Sequence, residues 1–191
     1  MDSTASRERV AIDMRVRTFH QADIPVLVQI QQIAARADQS EPRDEREVES
    51  WLREIAEDAR ATIFVGTDDD DELQTWGQGG TLEGIEGEIV GYTVVQEQQD
   101  EQGYHLLCQG AVLPEQRRRR TGWSLFICAL NWARLQAAEF EYEARSAGLA
   151  VYFEALLPAE DPGTAQLAQK CELTRTDEPA PAGLVLYRCE L

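Results

Sequence analysis

The chain has 191 residues, 43% of them hydrophobic, which suits one domain with a core of its own. Lysine and arginine number 18 against 35 aspartates and glutamates, a formal charge of −17. Such a surface repels polyphosphates and argues against general nucleic-acid or anionic-membrane binding, and no apolar run is long enough for a membrane span.

Residues 1–10 are polar and charged, lack the apolar core of a signal peptide, and are expected to be a flexible start to a single domain over 11–191. Ile12 to Phe19 alternates apolar with charged residues and reads as a half-buried strand. Asp23 caps a helix with Pro25 in its first turn and an apolar face of Leu27, Ile30, Ile33 and Ala34. A second helix over Glu45 to Glu57 buries Trp51, Leu52 and Ile55. Ala61 to Val65 is a strand. Thr67 to Glu88 then carries eight acidic residues and five glycines, and reads as an acidic loop or hairpin tip in which Trp76 is solvated.

Ile89 to Gln96 and Tyr104 to Leu113 form a hairpin, ended by Pro114. After the run Arg117 to Arg120, Thr121 and Gly122 open an apolar helix, with Trp123, Phe126, Ile127, Leu130, Ala133 and Arg134 on or beside its buried stripe. Phe140, Tyr142 and Ala144 alternate with acids as in a strand. The same residues also extend the helix to a stop at Gly148, and the long helix is favoured. Leu149 to Leu157 is a central strand, Gly163 to Cys171 a short helix, and Leu173 to Arg175 pairs with Gly183 to Glu190. The order β α α β β β α β α β β implies one mixed sheet in an α+β or α/β sandwich.

The four cysteines, at 108, 128, 171 and 189, have the spacing of neither a zinc ribbon nor a redox pair. They read as buried hydrophobes in a reducing, cytoplasmic setting. With only His20 and His105, no metal site is expected. The chemistry concentrates in the junction from strand to arginine run to helix. The first N–H groups of a helix lack internal partners, and the dipole adds positive potential there. Such a terminus binds phosphate, and guanidinium groups grip phosphate oxygens in pairs. Arg117, Arg118, Arg119 and Arg120 are four of the chain's 17 arginines.

Here the sequence resembles the GCN5-related N-acetyltransferase superfamily. Val112 to Trp123 matches the motif Gln/Arg-x-x-Gly-x-Gly/Ala, with Arg117 on its first position, Gly122 on its last, and Arg120 in place of its middle glycine. Met14 to Asp23, Ile89 to Val95 and Asp161 to Leu173 look like the family's opening, third-strand and late-helix segments. The resemblance implies a mostly antiparallel sheet of about seven strands flanked by about four helices. It also implies acetyl-CoA as co-substrate, with direct transfer of its acetyl group to an amine of a small molecule or protein. The pantetheine arm would lie between two splayed parallel strands, paired with backbone groups of Ala111, Val112 and Leu113. The pyrophosphate would sit on N–H groups from Arg117 to Gly122, Thr121 included, and an N–H near Val112 would polarise the thioester carbonyl. A homodimer is common in the family, and the acidic surface suits a cationic acceptor.

The family's strand carboxylate is absent from Cys108-Gln109-Gly110. Its late-helix tyrosine falls on Ala168 or Gln169, and its asparagine on Asp161. The catalytic acid and base are therefore unassigned. His105, Tyr104, Tyr142 and Tyr152 are minor candidates, and Cys108 and Cys171 read as core. The alternative to a transferase is a non-catalytic acyl-CoA-binding or regulatory module on the same fold.

Overall fold

The computed structural model describes residues 14–68 and 87–191. The expected flexible start and most of the acidic stretch, Trp76 included, lie outside the described residues. The elements are β1 (Met14–Thr18), α1 (Ile24–Ala37), α2 (Glu45–Glu57), β2 (Ala61–Asp68), β3 (Glu88–Gln99), β4 (Gly103–Val112), α3 (Thr121–Ala147), β5 (Ala150–Pro158), α4 (Pro162–Lys170), β6 (Thr174–Arg175) and β7 (Leu184–Glu190). The strands form one sheet in the order β1-β2-β3-β4-β5-β7-β6. Every neighbouring pair is antiparallel except β4 and β5. This is the expected mixed α+β sandwich.

Strand alternation divides the core in two. Val90, Tyr92 and Val94 of β3 pack with Leu27, Ile30, Leu52 and Ile55 of α1 and α2. Val95 faces the opposite way, into a second cluster with Leu106, Cys108, Phe126, Leu130, Phe153 and Ala168. Helices α1 and α2 thus cover one face of the sheet, and α3 and α4 the other.

Several expectations are refined. The stretch Phe140 to Ala144 is helical. Helix α3 runs on to Gly148, whose left-handed backbone (φ 68°) ends it. Asp23 stands at the N-cap position of α1, but its carboxylate does not cap that helix. It accepts the His20 N–H at 2.8 Å and grips Arg17 through both oxygens, at 2.8 Å each. Ile33 is not part of the buried face of α1, being 44% exposed. A helix with Leu27, Ile30 and Ala34 inward turns the position after Ile30 by three residues toward the edge of that stripe. No helix among the described residues is long and apolar enough to cross a membrane.

The parallel ladder that positions the site is short. It runs from Gly103 opposite Ala150 to Cys108 opposite Ala155, and there it stops. Past that point Gly110 and Val112 remain paired with β3, opposite Thr93 and Gly91. Leu156, Leu157 and Pro158 remain paired with β7. The two parallel strands therefore diverge, each held by its outer neighbour. Gly110 sits at the start of the divergence because β3 crosses it too closely for a side chain: a Cβ there would lie 2.2 Å from the Tyr92 carbonyl oxygen. Gly110→Ala is expected to cost about 2–3 kcal/mol through forced strand movement, read as a lowered midpoint in chemical unfolding.

Candidate functional site

The gap between the diverging strands opens into a cavity of about 850 Å³. Its walls come from β4 (Cys108 to Val112), the end of β5 (Leu156 to Pro158), the start of α3 (Gly122, Trp123) and one side of α4. Leu113 donates its N–H to Val90 on β3. Because peptide groups in a strand point alternately to its two sides, those of Ala111 and Leu113 are turned to β3, while those of Gly110 and Val112 face the gap. Of the three expected pantetheine partners, Val112 thus offers its amide to the cavity. Ala111 lines the cavity, whereas Leu113 does not and packs in the core beneath α1 and α2.

The arginine run divides into one inward and three outward residues. Arg117 folds inward and is largely buried. It makes a two-pronged ion pair with Asp38 at the end of α1 (2.5 and 2.8 Å), reaches Asp161 at 3.3 Å, and donates through Nε to the Val112 carbonyl at 3.2 Å. Hydrogen bonding to Asp38, reinforced by the charges of Asp38 and Asp161, holds Arg117 above its usual pKa against the effect of burial. Its side chain is a strut joining α1, β4 and α4. Asp161 also caps α4, accepting the Gly163 N–H at 2.7 Å.

Arg118, Arg119 and Arg120 are exposed. Arg118 and Arg120 both have left-handed backbones, φ 64° and 71°. Left-handed residues spaced in this way turn successive N–H groups to one side, the nest geometry that binds anions. Arg120 is the N-cap of α3, so this concavity runs into the unpartnered N–H groups of Thr121, Gly122 and Trp123. The Thr121 side chain is buried, while Gly122 faces the cavity. Arg120 therefore holds a left-handed backbone of the kind that favours glycine, and its exposed side chain lies at the edge of the cavity. A left-handed non-glycine residue costs roughly 1–2 kcal/mol. Arg120→Gly is expected to stabilise the fold by about 1 kcal/mol, seen as a thermal midpoint raised by about 2–4 °C. Gly122 leaves room for a methyl group: the nearest atom to a Cβ there is Val112 Cγ2 at 4.0 Å.

The minor catalytic candidates fall elsewhere. His105 is buried between Glu154 (3.0 Å) and Asp100 (3.1 Å), five residues before Gly110 and so about 17 Å along the strand from the gap. Tyr104 stacks on Phe140, Tyr142 is 82% exposed on α3, and Tyr152 lies under Arg188. Cys108 lies at the apex of the gap with its sulfur 3.2 Å from Thr93 Oγ1, and burial pushes its thiol up to about 12, so it remains protonated at neutral pH. Cys171 is buried in the core beside α4. Ala168 is buried and Gln169 exposed, and neither lines the cavity. Among the described residues no cluster of His, Cys, Asp or Glu could hold a metal ion.

Three contributors were not evident from the sequence. Asp38 meets Arg117 across 79 residues of chain, with no local signal of the pairing. Helical spacing puts Trp123 on or beside the buried stripe of α3, whereas it is 37% exposed at the cavity wall. Lys170 lies 5.5 Å from the Trp123 ring centroid and also lines the cavity. Its one sequence signal was being the chain's only lysine.

No family model matches the sequence, and no curated protein matches it. Solved structures do. The chain is similar to yncA from Salmonella typhimurium, solved with its cofactor acetyl-CoA, at 15% identity and a TM-score of 0.59, covering 93% of this chain and 92% of that one. A GCN5-related N-acetyltransferase from Kribbella flavida superposes with a TM-score of 0.60 at 14% identity, covering 93% and 98%. Ribosomal-protein-alanine N-acetyltransferase from Brucella melitensis does so at 0.57 and 17%, covering 93% and 99%. At these identities the likeness speaks for architecture, and the chain has the fold of the GCN5-related N-acetyltransferases.

Proposed function

We propose that this protein is an acyl-CoA-dependent N-acetyltransferase that moves the acetyl group of acetyl-CoA directly to an amine. The observation that carries the reading is the parting of β4 from β5 after Cys108 and Ala155, beside a loop of left-handed arginines at a helix start. The donor set fits acetyl-CoA. The gap offers strand amides to an extended amide-bearing arm, and the concavity from Arg118 to Gly122 offers N–H groups and cations to a pyrophosphate. These cations stand out in a chain of formal charge −17. The thioester supplies the activated acetyl group. The Val112 N–H, facing the gap, is placed to stabilise negative charge on the carbonyl oxygen, and the Arg117 strut holds the walls around it.

Among the described residues, both carboxylates that line the cavity, Asp38 and Asp161, are engaged by Arg117. Rate enhancement therefore rests on bringing amine and thioester together in a fixed orientation. An acceptor amine of a small molecule or protein, drawn by the acidic surface if cationic, completes the reaction. The four free thiols suit a reducing, cytoplasmic setting.

The non-catalytic module is the second reading, favoured because Ala168 and Gln169, the positions where the resemblance puts the late-helix tyrosine, carry no group able to protonate a leaving thiolate. Thiol release from acetyl-CoA across a panel of small amines and basic peptides separates the two. The transferase releases free CoA only when an amine is present. Tight acetyl-CoA binding with no release for any amine supports the module, and failure to bind acetyl-CoA overturns both.

A further inference from the structure

Beyond the cradle, the cavity wall continues through Trp123 and along α4 to Gln166, Leu167 and Lys170. Among the described residues, Trp123 is the one exposed large hydrophobic residue that also lines the cavity; Val26, Ile33, Leu135 and Tyr142 are elsewhere. Its indole is covered by the Lys170 ammonium, 5.5 Å from the ring centroid. The pairing joins the start of α3 to the last turn of α4, and Gly122 places it next to the anion cradle. An aromatic face and a flexible cation side by side at the end of a phosphate site can serve a ligand bearing a purine ring and a further phosphate.

We propose that Trp123 and Lys170 form the nucleotide subsite of the cavity, with the adenine ring stacking on the indole and the Lys170 ammonium pairing with the ribose 3′-phosphate. The inference rests on the acetyl-CoA reading above and goes beyond it, because it assigns a specificity: the protein distinguishes acetyl-CoA from 3′-dephospho-acetyl-CoA. Charge division supports the assignment. The N–H groups and guanidinium groups from Arg118 to Arg120 belong to one short loop at the start of α3, which suits one anionic group. A second phosphate, carried on the ribose, needs a cation from another element. Lys170 is the chain's only lysine and reaches the cavity from α4, across from the arginine loop. Its four-carbon stem lets the ammonium swing off the indole, exposing the ring as it meets the phosphate. The ammonium lies over the ring face on which the adenine would stack. Stacking on an indole face is tolerant of small changes in ring position, so the phosphate pairing sets the discrimination and Trp123 adds affinity.

Calorimetric titration of the full chain with acetyl-CoA, 3′-dephospho-acetyl-CoA and adenosine 3′,5′-bisphosphate tests this. The wild-type protein is expected to bind acetyl-CoA about tenfold more tightly than the dephospho compound, equivalent to one charge-assisted contact. Lys170→Gln is expected to reduce that gap to twofold or less by weakening acetyl-CoA alone, while Lys170→Arg restores it. Trp123→Leu is expected to weaken both compounds about fivefold. Adenosine 3′,5′-bisphosphate is expected to quench indole fluorescence in the wild type and not in Trp123→Phe. Circular dichroism checks that each variant is folded. Equal affinity of the wild type for the two thioesters, or an undiminished gap in Lys170→Gln, overturns the Lys170 assignment. Unchanged affinities in Trp123→Leu overturn the stacking. If the wild type binds neither thioester, the acetyl-CoA reading of the cavity fails first and takes this subsite with it.

Discussion

Arg117→Leu is expected to lower the stability of the fold by about 2–3 kcal/mol, below the 3–5 kcal/mol seen for fully buried pairs because the guanidinium keeps some contact with solvent. In a chain of this size that is a fall of roughly 6–10 °C in thermal midpoint. The cause is what the guanidinium leaves behind: Asp38 and Asp161, both largely buried, face the same space with no counter-ion, and the Val112 carbonyl loses a donor. A phosphate ligand would behave differently, since its removal would weaken acetyl-CoA binding and leave the unfolding midpoint in place. Asp38→Asn in the Arg117→Leu background removes one of the two stranded charges and is expected to recover about half of the loss. Thermal unfolding of the two variants and the wild type checks both expectations.

The exposed members of the run carry the opposite signature. The triple substitution of Arg118, Arg119 and Arg120 by alanine is expected to weaken acetyl-CoA about 100-fold in calorimetry, with little change in unfolding midpoint. Three exposed, charge-assisted contacts at about 1 kcal/mol each give this order of magnitude. Residual binding remains because the N–H groups of the nest and of the α3 start are main-chain. The wild-type affinity falls as salt rises from low to physiological ionic strength, and the triple variant shows a shallower dependence, because exposed charges are screened over about 10 Å.

Much of the architecture was legible because hydrophobic periodicity was strong. The β3–β4 hairpin, the near-continuous apolar β5 and the α3 stripe each carry a pattern that tertiary packing reinforces. The ambiguity at Phe140 to Ala144 is resolved by the left-handed stop at Gly148, which lets the helix continue through an alternating stretch whose Tyr142 faces solvent. At the site, the anion-binding loop was legible as arginines before a helix start, since that depends on local sequence. The division of labour within it was not. Whether Arg117 meets a phosphate or a carboxylate depends on Asp38, brought in by the α1 end on the other side of the sheet. That Arg120 takes a glycine's backbone conformation follows from the loop closing onto α3, which overrides the preference of its own side chain. Trp123 was placed on or beside the apolar stripe by helical spacing alone. Its neighbour at the cavity wall is Lys170 of α4, a pairing that no local pattern encodes.

A crystal structure of the protein soaked with acetyl-CoA tests the central claim most directly. The account predicts the pantetheine arm in the gap beyond Cys108 and Ala155, hydrogen-bonded to the Gly110 and Val112 peptide groups, and pyrophosphate oxygens within hydrogen-bonding distance of N–H groups between Arg118 and Gly122. Acetyl-CoA bound elsewhere on the surface, or the gap filled by the protein's own side chains with the ligand absent at saturating concentration, contradicts it.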